Sequence, residues 1–140
     1  NLDGENANDQ SGFSVDISGD GNIVAIGAIK NDGNGELDSG HVRIYHWKNA
    51  AWEQRGKDID GVKGLDQSGF AVSLSNDGNI VAIGANKNDD NGLDSGNVGI
   101  YRYVACASPS PPLAVSSSTS GIQGTIATVA TAAFFQFALL

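Results

Sequence analysis

With 16 acidic against 8 basic residues in a chain of 140, the net charge is −8. That balance excludes a nucleic-acid function resting on Lys and Arg clusters, and it opposes docking on an anionic membrane surface. Nineteen glycines, set among many Asn, Asp and Ser, supply tight turns and positive-φ positions and point to a turn-rich all-β protein.

Residues 1–8 (NLDGENAN) align with residues 58–65 (DIDGVKGL), so the chain opens partway through a repeat and a missing upstream strand is expected before Asn1. The stretch DQSGFSVDISGDGNIVAIGAIKNDGNGELDSGHVRIY, from Asp9 to Tyr45, returns as DQSGFAVSLSNDGNIVAIGANKNDDNGLDSGNVGIY, from Asp66 to Tyr101. The offset is 57 residues and falls to 56 after a one-residue deletion opposite Glu36. Self-similarity at such a period marks a repeat architecture.

Each copy reads as short antiparallel strands. Phe13, Val15 and Ile17 alternate with Ser14 and Asp16, the period of a half-buried strand with its apolar side inward. Gly19-Asp20-Gly21-Asn22, like Asn76-Asp77-Gly78-Asn79, is a tight turn. The run IVAIGA at Ile23–Ala28 and Ile80–Ala85 suits a strand buried on both faces, with small residues that let a neighbouring backbone approach. A polar loop leads to HVRIYHW, where Val42, Ile44 and His46 alternate with Arg43, Tyr45 and Trp47, and a turn at Asn49-Ala50-Ala51 opens a fourth strand around Trp52. The fold class is therefore all-β: two four-stranded antiparallel repeats of about 57 residues, each the size of one propeller blade.

GFSVDISGDGNIVAIGA followed by SGHVRIYHW resembles the FG-GAP type repeat of integrin α-subunit β-propellers, most of all variants from surface proteins of algae and other microbes with W-x-Q-x-G and S-x-D-G-N motifs. The resemblance covers residues 1–103 and implies a larger circular propeller of about seven blades, extracellular and acting in adhesion or ligand binding. Repeats of that type often carry a calcium loop, D-x-D-x-D-G-x-x-D, in the first hairpin. The matching positions here are Asp16, Ser18, Asp20 and Val24, then Ser73, Ser75, Asp77 and Val81. An apolar ninth position cannot ligate a cation that requires oxygen, so calcium is not expected in that hairpin. Two blades cannot close a ring, so either further blades or several chains are expected.

The organisation is then repeat 1 over 1–57, a truncated repeat 2 over 58–103, a Pro/Ser-rich linker over 104–121 and an apolar C-terminal tail over 122–140. The last 38 residues carry no charge. Three readings of the tail stay open: a GPI-anchor signal, a membrane span, or a segment packed within the fold or on another chain. The only cysteine, Cys106, allows no internal disulfide and either pairs outside the segment or stays free. Ser and Thr of the linker are candidates for O-glycosylation.

The richest polar cluster is the loop between the second and third strands. Asp32, Asn34, Glu36 and Asp38 in copy one, and Asn88, Asp90 and Asp94 in copy two, offer oxygens to calcium. Asp32, Asn34, Asp38, Asn88, Asp90 and Asp94 are the metal candidates. The deletion keeps the two copies from sharing one ligand geometry, however, and the Asn-Gly pairs at 34–35 and 91–92 have a sufficient turn-forming role, so a solvated turn is the expected reading and calcium the alternative. Asp38 or Ser39 in Asp-Ser-Gly is expected to accept a hydrogen bond from a nearby backbone N–H group. His41 and His46 point to opposite faces of one strand, which argues against a shared metal or base. Tyr45, Trp47, Trp52 and Tyr101 read as packing between blades, with a sugar platform as the alternative. No catalytic constellation emerges. The expected function is a non-catalytic adhesion or ligand-binding module at a cell surface or secreted, with protein chains or surface glycans as partners. The alternative is a structural subunit of a fibre or coat, a homo-oligomer joined through blade edges and tail.

Overall fold

The repeated S-x-D-G-N turn shows how short polar sequence builds these strands. Asp20 accepts Ser18 Oγ at 2.6 Å and the Asn22 backbone N at 3.0 Å on one oxygen, and Asn22 Nδ2 at 3.0 Å on the other. Ser18 Oγ in turn accepts Ile23 N at 3.0 Å. Ser75, Asp77, Asn79 and Ile80 repeat the arrangement at 2.6, 3.0, 3.0 and 2.9 Å. Gly21 and Gly78 supply the positive φ at 73° and 64°. Three donors stabilise each ionised carboxylate, and they hold the carboxyls of Asp20 and Asp77 down to about 2.

In the computed structural model, residues 1–105 are described. Strands β1 (Ser11–Ile17), β2 (Ile23–Ala28), β3 (His41–Lys48) and β4 (Ala51–Gln54) form an antiparallel meander, and β5 (Ile59–Asp60) also pairs with β3. Beta-4 lies against Tyr45–Lys48 and β5 against His41–Val42, so they share one edge of β3. Arg55 N still reaches Ile44 O at 2.7 Å in the bulge between them. The first sheet thus runs on to Asp60, past the expected repeat boundary at 57. The second sheet is β6 (Ser68–Leu74), β7 (Ile80–Ala85) and β8 (Asn97–Arg102). It has three strands among the described residues and the first sheet has five, where four were expected in each repeat. The readings made for Cys106, the linker beyond it and the apolar tail lie outside the described residues. Among the described residues no helix is long and apolar enough to cross a membrane.

The two sheets stack through Ala25, Val42 and Ile44 of the first and Val81 and Ile83 of the second, with Ile23, Ile59, Val72 and Leu74 around them. At Gly27 the backbones approach so closely that a Cβ would overlap the carbonyl oxygen of Gly69. Polar contacts cross the same seam: Ser14 Oγ to Gly69 O at 2.6 Å, Leu74 N to Asp16 Oδ2 at 2.6 Å, and Gly19 N to Asn76 O at 2.9 Å. Arg55 adds Nη1 to Gly78 O and Nη2 to Asn79 Oδ1, both at 2.7 Å.

This corrects the reading of β1. Its polar residues Ser14 and Asp16 face the second sheet, whereas Val15 and Ile17 are 58% and 53% exposed. Alternation fixes which residues share a face but not which face is covered. Here the covering sheet brings backbone donors and acceptors, which Ser14 and Asp16 satisfy. The aromatic expectation also changes. Trp47 and Trp52 pair with each other across the β3–β4 hairpin, edge to face at 5.4 Å, and Trp47 is exposed. Between the sheets the aromatic contact is Phe13 on Phe70, 5.3 Å apart.

Two predictions follow from these contacts. Gly27→Ala should destabilise the chain by about 1–3 kcal/mol through overpacking. Its repeat counterpart Gly84→Ala, where the nearest atom to a new Cβ is 3.6 Å away, should stay within about 1 kcal/mol; urea midpoints measure both. Because the folded carboxyls of Asp20 and Asp77 titrate near 2, below the ordinary 3.8, their stabilisation is present above pH 4 and is lost as pH falls toward 2. A D20N/D77N variant should therefore lose less stability than the native chain between pH 4 and 2 in acid titrations followed by circular dichroism.

Candidate functional site

The loop joining β2 to β3 is shaped by its own side chains. Asp38 N donates to Asp32 Oδ1 at 2.9 Å, Gly40 N to Asn31 O at 2.9 Å, and Ser39 Oγ to Gly33 O at 3.2 Å. Asn34 and Asp38 hold φ of 56° and 50°, a region that Asn and Asp tolerate better than most residues. Despite the deletion, the second copy keeps two of these clasps, Asp94 N to Asp89 Oδ1 at 2.6 Å and Gly96 N to Asn88 O at 2.9 Å, while Ser95 Oγ turns to Asn88 O at 3.1 Å, the counterpart of Asn31 O rather than of Gly33 O. The backbone acceptor is thus Asp32 or Asp89, and the serine hydroxyl of Asp-Ser-Gly donates rather than accepts. This reverses the expected roles.

Behind each loop lies a buried pair that sequence reasoning missed. Asn31 Nδ2 donates to Asp9 Oδ2, and Asn88 Nδ2 to Asp66 Oδ2, both at 2.9 Å. All four residues are buried. Each pair ties the entry of a repeat to the end of its second strand, and the signal for it was Asp-Gln-Ser-Gly and Lys-Asn recurring at one offset.

The six candidate ligands therefore divide. Asp32, Asn34 and Asp38 line one cleft of about 600 Å³ together with Glu5, Asp9, Asp58 and Asp60, and Lys30 is the only amine in its wall. Asn88 is buried and bonded to Asp66. Asp90 and Asp94 pair with Lys63 and Lys87 at 2.5 and 2.8 Å. The structure gathers the first-copy candidates and gives each second-copy candidate a partner of its own.

Beneath the cleft, β3 presents His41, Arg43 and Tyr45 on one face. His41 is 2% exposed, and its Nδ1 lies 3.8 Å from Asp58 Oδ2. Arg43 donates from Nε to His41 Nε2 at 3.4 Å and from Nη1 to Tyr45 OH at 3.1 Å, and its Nη2 lies 3.6 Å from Glu5 Oε2. His41 Nδ1 and Arg43 Nη2 are buried without hydrogen-bond partners. Burial first, and the Arg43 guanidinium second, push the His41 imidazole down from its ordinary 6.5, so the ring is neutral at pH 7. Glu5, His41 and Asp58 each bring a ligand atom within 4.8 Å of the others, but Arg43 already shares Glu5 and His41, so a cation there must displace it. His46 lies on the other face of β3, 3.7 Å from Glu53. The knot belongs to the first copy alone: Val62, Asn97 and Gly99 stand where it has Glu5, His41 and Arg43.

The pairing behind the loops can be tested directly. Asn88→Ala leaves the Asp66 carboxyl buried without its partner and should cost about 1–3 kcal/mol. The D66A/N88A double variant should cost less than the sum of the two single changes, because neither partner is then left alone; urea denaturation of the four proteins completes the cycle.

The FG-GAP repeat family matches the sequence twice, over residues 3–45 and 58–101. No curated protein matches it. Those segments contain both hairpin turns, both loops and both buried Asp–Asn pairs, and together they make up more than half of the sequence: this chain belongs to the FG-GAP repeat family.

Proposed function

We propose that the two sheets are adjacent blades of a larger β-propeller, and that the chain is a non-catalytic, extracellular adhesion or ligand-binding module. FG-GAP repeats are typical of extracellular and surface proteins with such roles. The observation that carries the reading to a site is the convergence of Glu5, Asp9, Asp32, Asp38, Asp58 and Asp60 on one cleft with a single lysine in its wall. Carboxylates crowded in one concavity repel one another, and a cation relieves that repulsion. Calcium takes six to eight oxygens from carboxylates, carbonyls and water in flexible geometry, and Asp32, Asn34 and Asp38 supply such oxygens at the rim. A bound ion would present open coordination positions to a glycan hydroxyl or to a carboxylate of a partner protein.

Calcium titrated calorimetrically into the metal-free full chain should give saturable binding. Asp32→Asn with Asp58→Asn should weaken it at least tenfold, since Asn keeps an acceptor for the Asp38 N–H but removes the charge. Asp90→Asn, outside the cleft, should leave it unchanged. A chain that takes up no calcium, or an Asp90→Asn variant that loses as much affinity as the cleft variant, would sink the reading.

A further inference from the structure

The outward apolar side of β1 is half of a contact the molecule already makes once. Val15, Ile17, Val24 and Ile26 of the first sheet are the repeat counterparts of Val72, Leu74, Val81 and Ile83. The latter four pack against the first sheet in the core, whereas Val15 and Ile17 are largely exposed. The other half of that contact also has a free counterpart. Val98 and Ile100, each 66% exposed, correspond to the buried Val42 and Ile44.

We propose that copies of this chain associate head to tail, with the free face of the second sheet in one copy (Gly84, Val98, Ile100) stacked on the free face of the first sheet in the next (Val15, Ile17, Ile26). The partner is a second copy because the interface continues the one inside the chain, and one chain carries both open halves. The glycines support this most directly. Inside the chain, Gly27 and Gly69 allow backbone to touch backbone. Their counterparts Gly84 and Gly12 are both kept. A Cβ on Gly12 would meet nothing within 4 Å, and one on Gly84 would meet only Ala71 of its own sheet. An extended strand position such as Gly84 gains nothing from lacking a side chain unless another backbone comes close.

A second correspondence agrees. Gly19 faces Asn76 within the chain, and a Cβ at 19 would overlap the Asn76 side chain. Between copies Asn76 takes the place of Gly19, and Gly19 that of Asn76, so the large–small pair is reversed and preserved. Phe70 of one copy then meets Phe13 of the next, as the two meet inside one chain. Several polar contacts are not repeated: Ala71 replaces Ser14, Ser73 replaces Asp16, and the bonds from Arg55 to Gly78 and Asn79 have no counterpart among the described residues. The contact between copies is therefore weaker than the internal one and depends on concentration. Because it joins two different surfaces, it propagates to a ring if the rotation closes and to a filament if it does not.

Sedimentation velocity of the full 140-residue chain over a range of concentrations tests this, with two double variants at exposed positions: V15S/I17S on one face and V98S/I100S on the other. The native chain should grow in mass with concentration, and each variant alone should stay monomeric. An equimolar mixture should give a dimer and nothing larger, because each chain then has one working face and the two are complementary. A native chain that stays monomeric, its faces covered by other parts of its own polypeptide, would overturn the proposal. So would a variant that associates like the native chain, through its tail or by symmetric pairing, or a mixture that forms no dimer.

Discussion

The contact of Gly27 with the Gly69 carbonyl sets the distance between the two sheets, and most of the interface depends on it. With no side chain between the backbones, Ser14 Oγ and the Asp16 carboxylate reach across to main-chain partners. The core can then be built from side chains no larger than Ile, with Ala25 at its centre. An aliphatic contact of this kind is permissive, because a sheet slid along its neighbour loses little buried area. Hydrogen bonds at fixed backbone positions are not permissive. Asp16 on Leu74, Gly19 on Asn76 and Arg55 on Gly78 and Asn79 set the relative position that burial alone leaves free.

The same economy holds within each repeat. In D-x-D-x-D-G-x-x-D turns a cation organises the carboxylates. In this chain, Ser18, Asp20 and Asn22 close the turn by hydrogen bonding one another and the backbone, so one carboxylate with three donors takes over the organising role. The ninth position is thereby free of any ligating duty, and Val24 and Val81 use it for burial. The acidic loop between the second and third strands follows the same rule. Asp32 and Asp89 spend an oxygen on the loop's own backbone, and what remains for a ligand is the set of charges that no local donor takes up.

The repeat, the strand order and the hairpins were legible in the sequence because each depends on local chemistry: alternation, Gly-Asn turns, and a run of small apolar residues. Two features were not. The inward face of β1 depends on what a distant segment brings against it, and Ser14 and Asp16 acquire partners only when Gly69 and Leu74 arrive from 55 and 58 residues away. The burial of Asp9, Asn31, Asp66 and Asn88 was hidden for a related reason. An Asp or Asn in a loop-like context reads as a turn former whether it meets solvent or an amide 22 residues off. Of the site, the Asp32–Asp38 rim was legible. Glu5 and Asp58 were not: Asp58 joins it through the pairing of β5 with β3, and Glu5 through its contacts with Asn31 and Arg43.

Where the two repeats agree, the shared residues account for folding: the turn boxes, the buried Asp–Asn pairs, the IVAIGA strands. The His41–Arg43 knot is different. Its two buried polar atoms make no hydrogen bond, and each faces a carboxylate only at ion-pair distance, Asp58 at 3.8 Å and Glu5 at 3.6 Å, so their desolvation is incompletely offset. The second repeat shows that removal is feasible, since Asn97 and Gly99 occupy those positions in a sheet with the same register. The knot is thus an addition that the fold can do without, and among the described residues it lies beside the cleft on which Glu5, Asp32, Asp38, Asp58 and Asp60 converge.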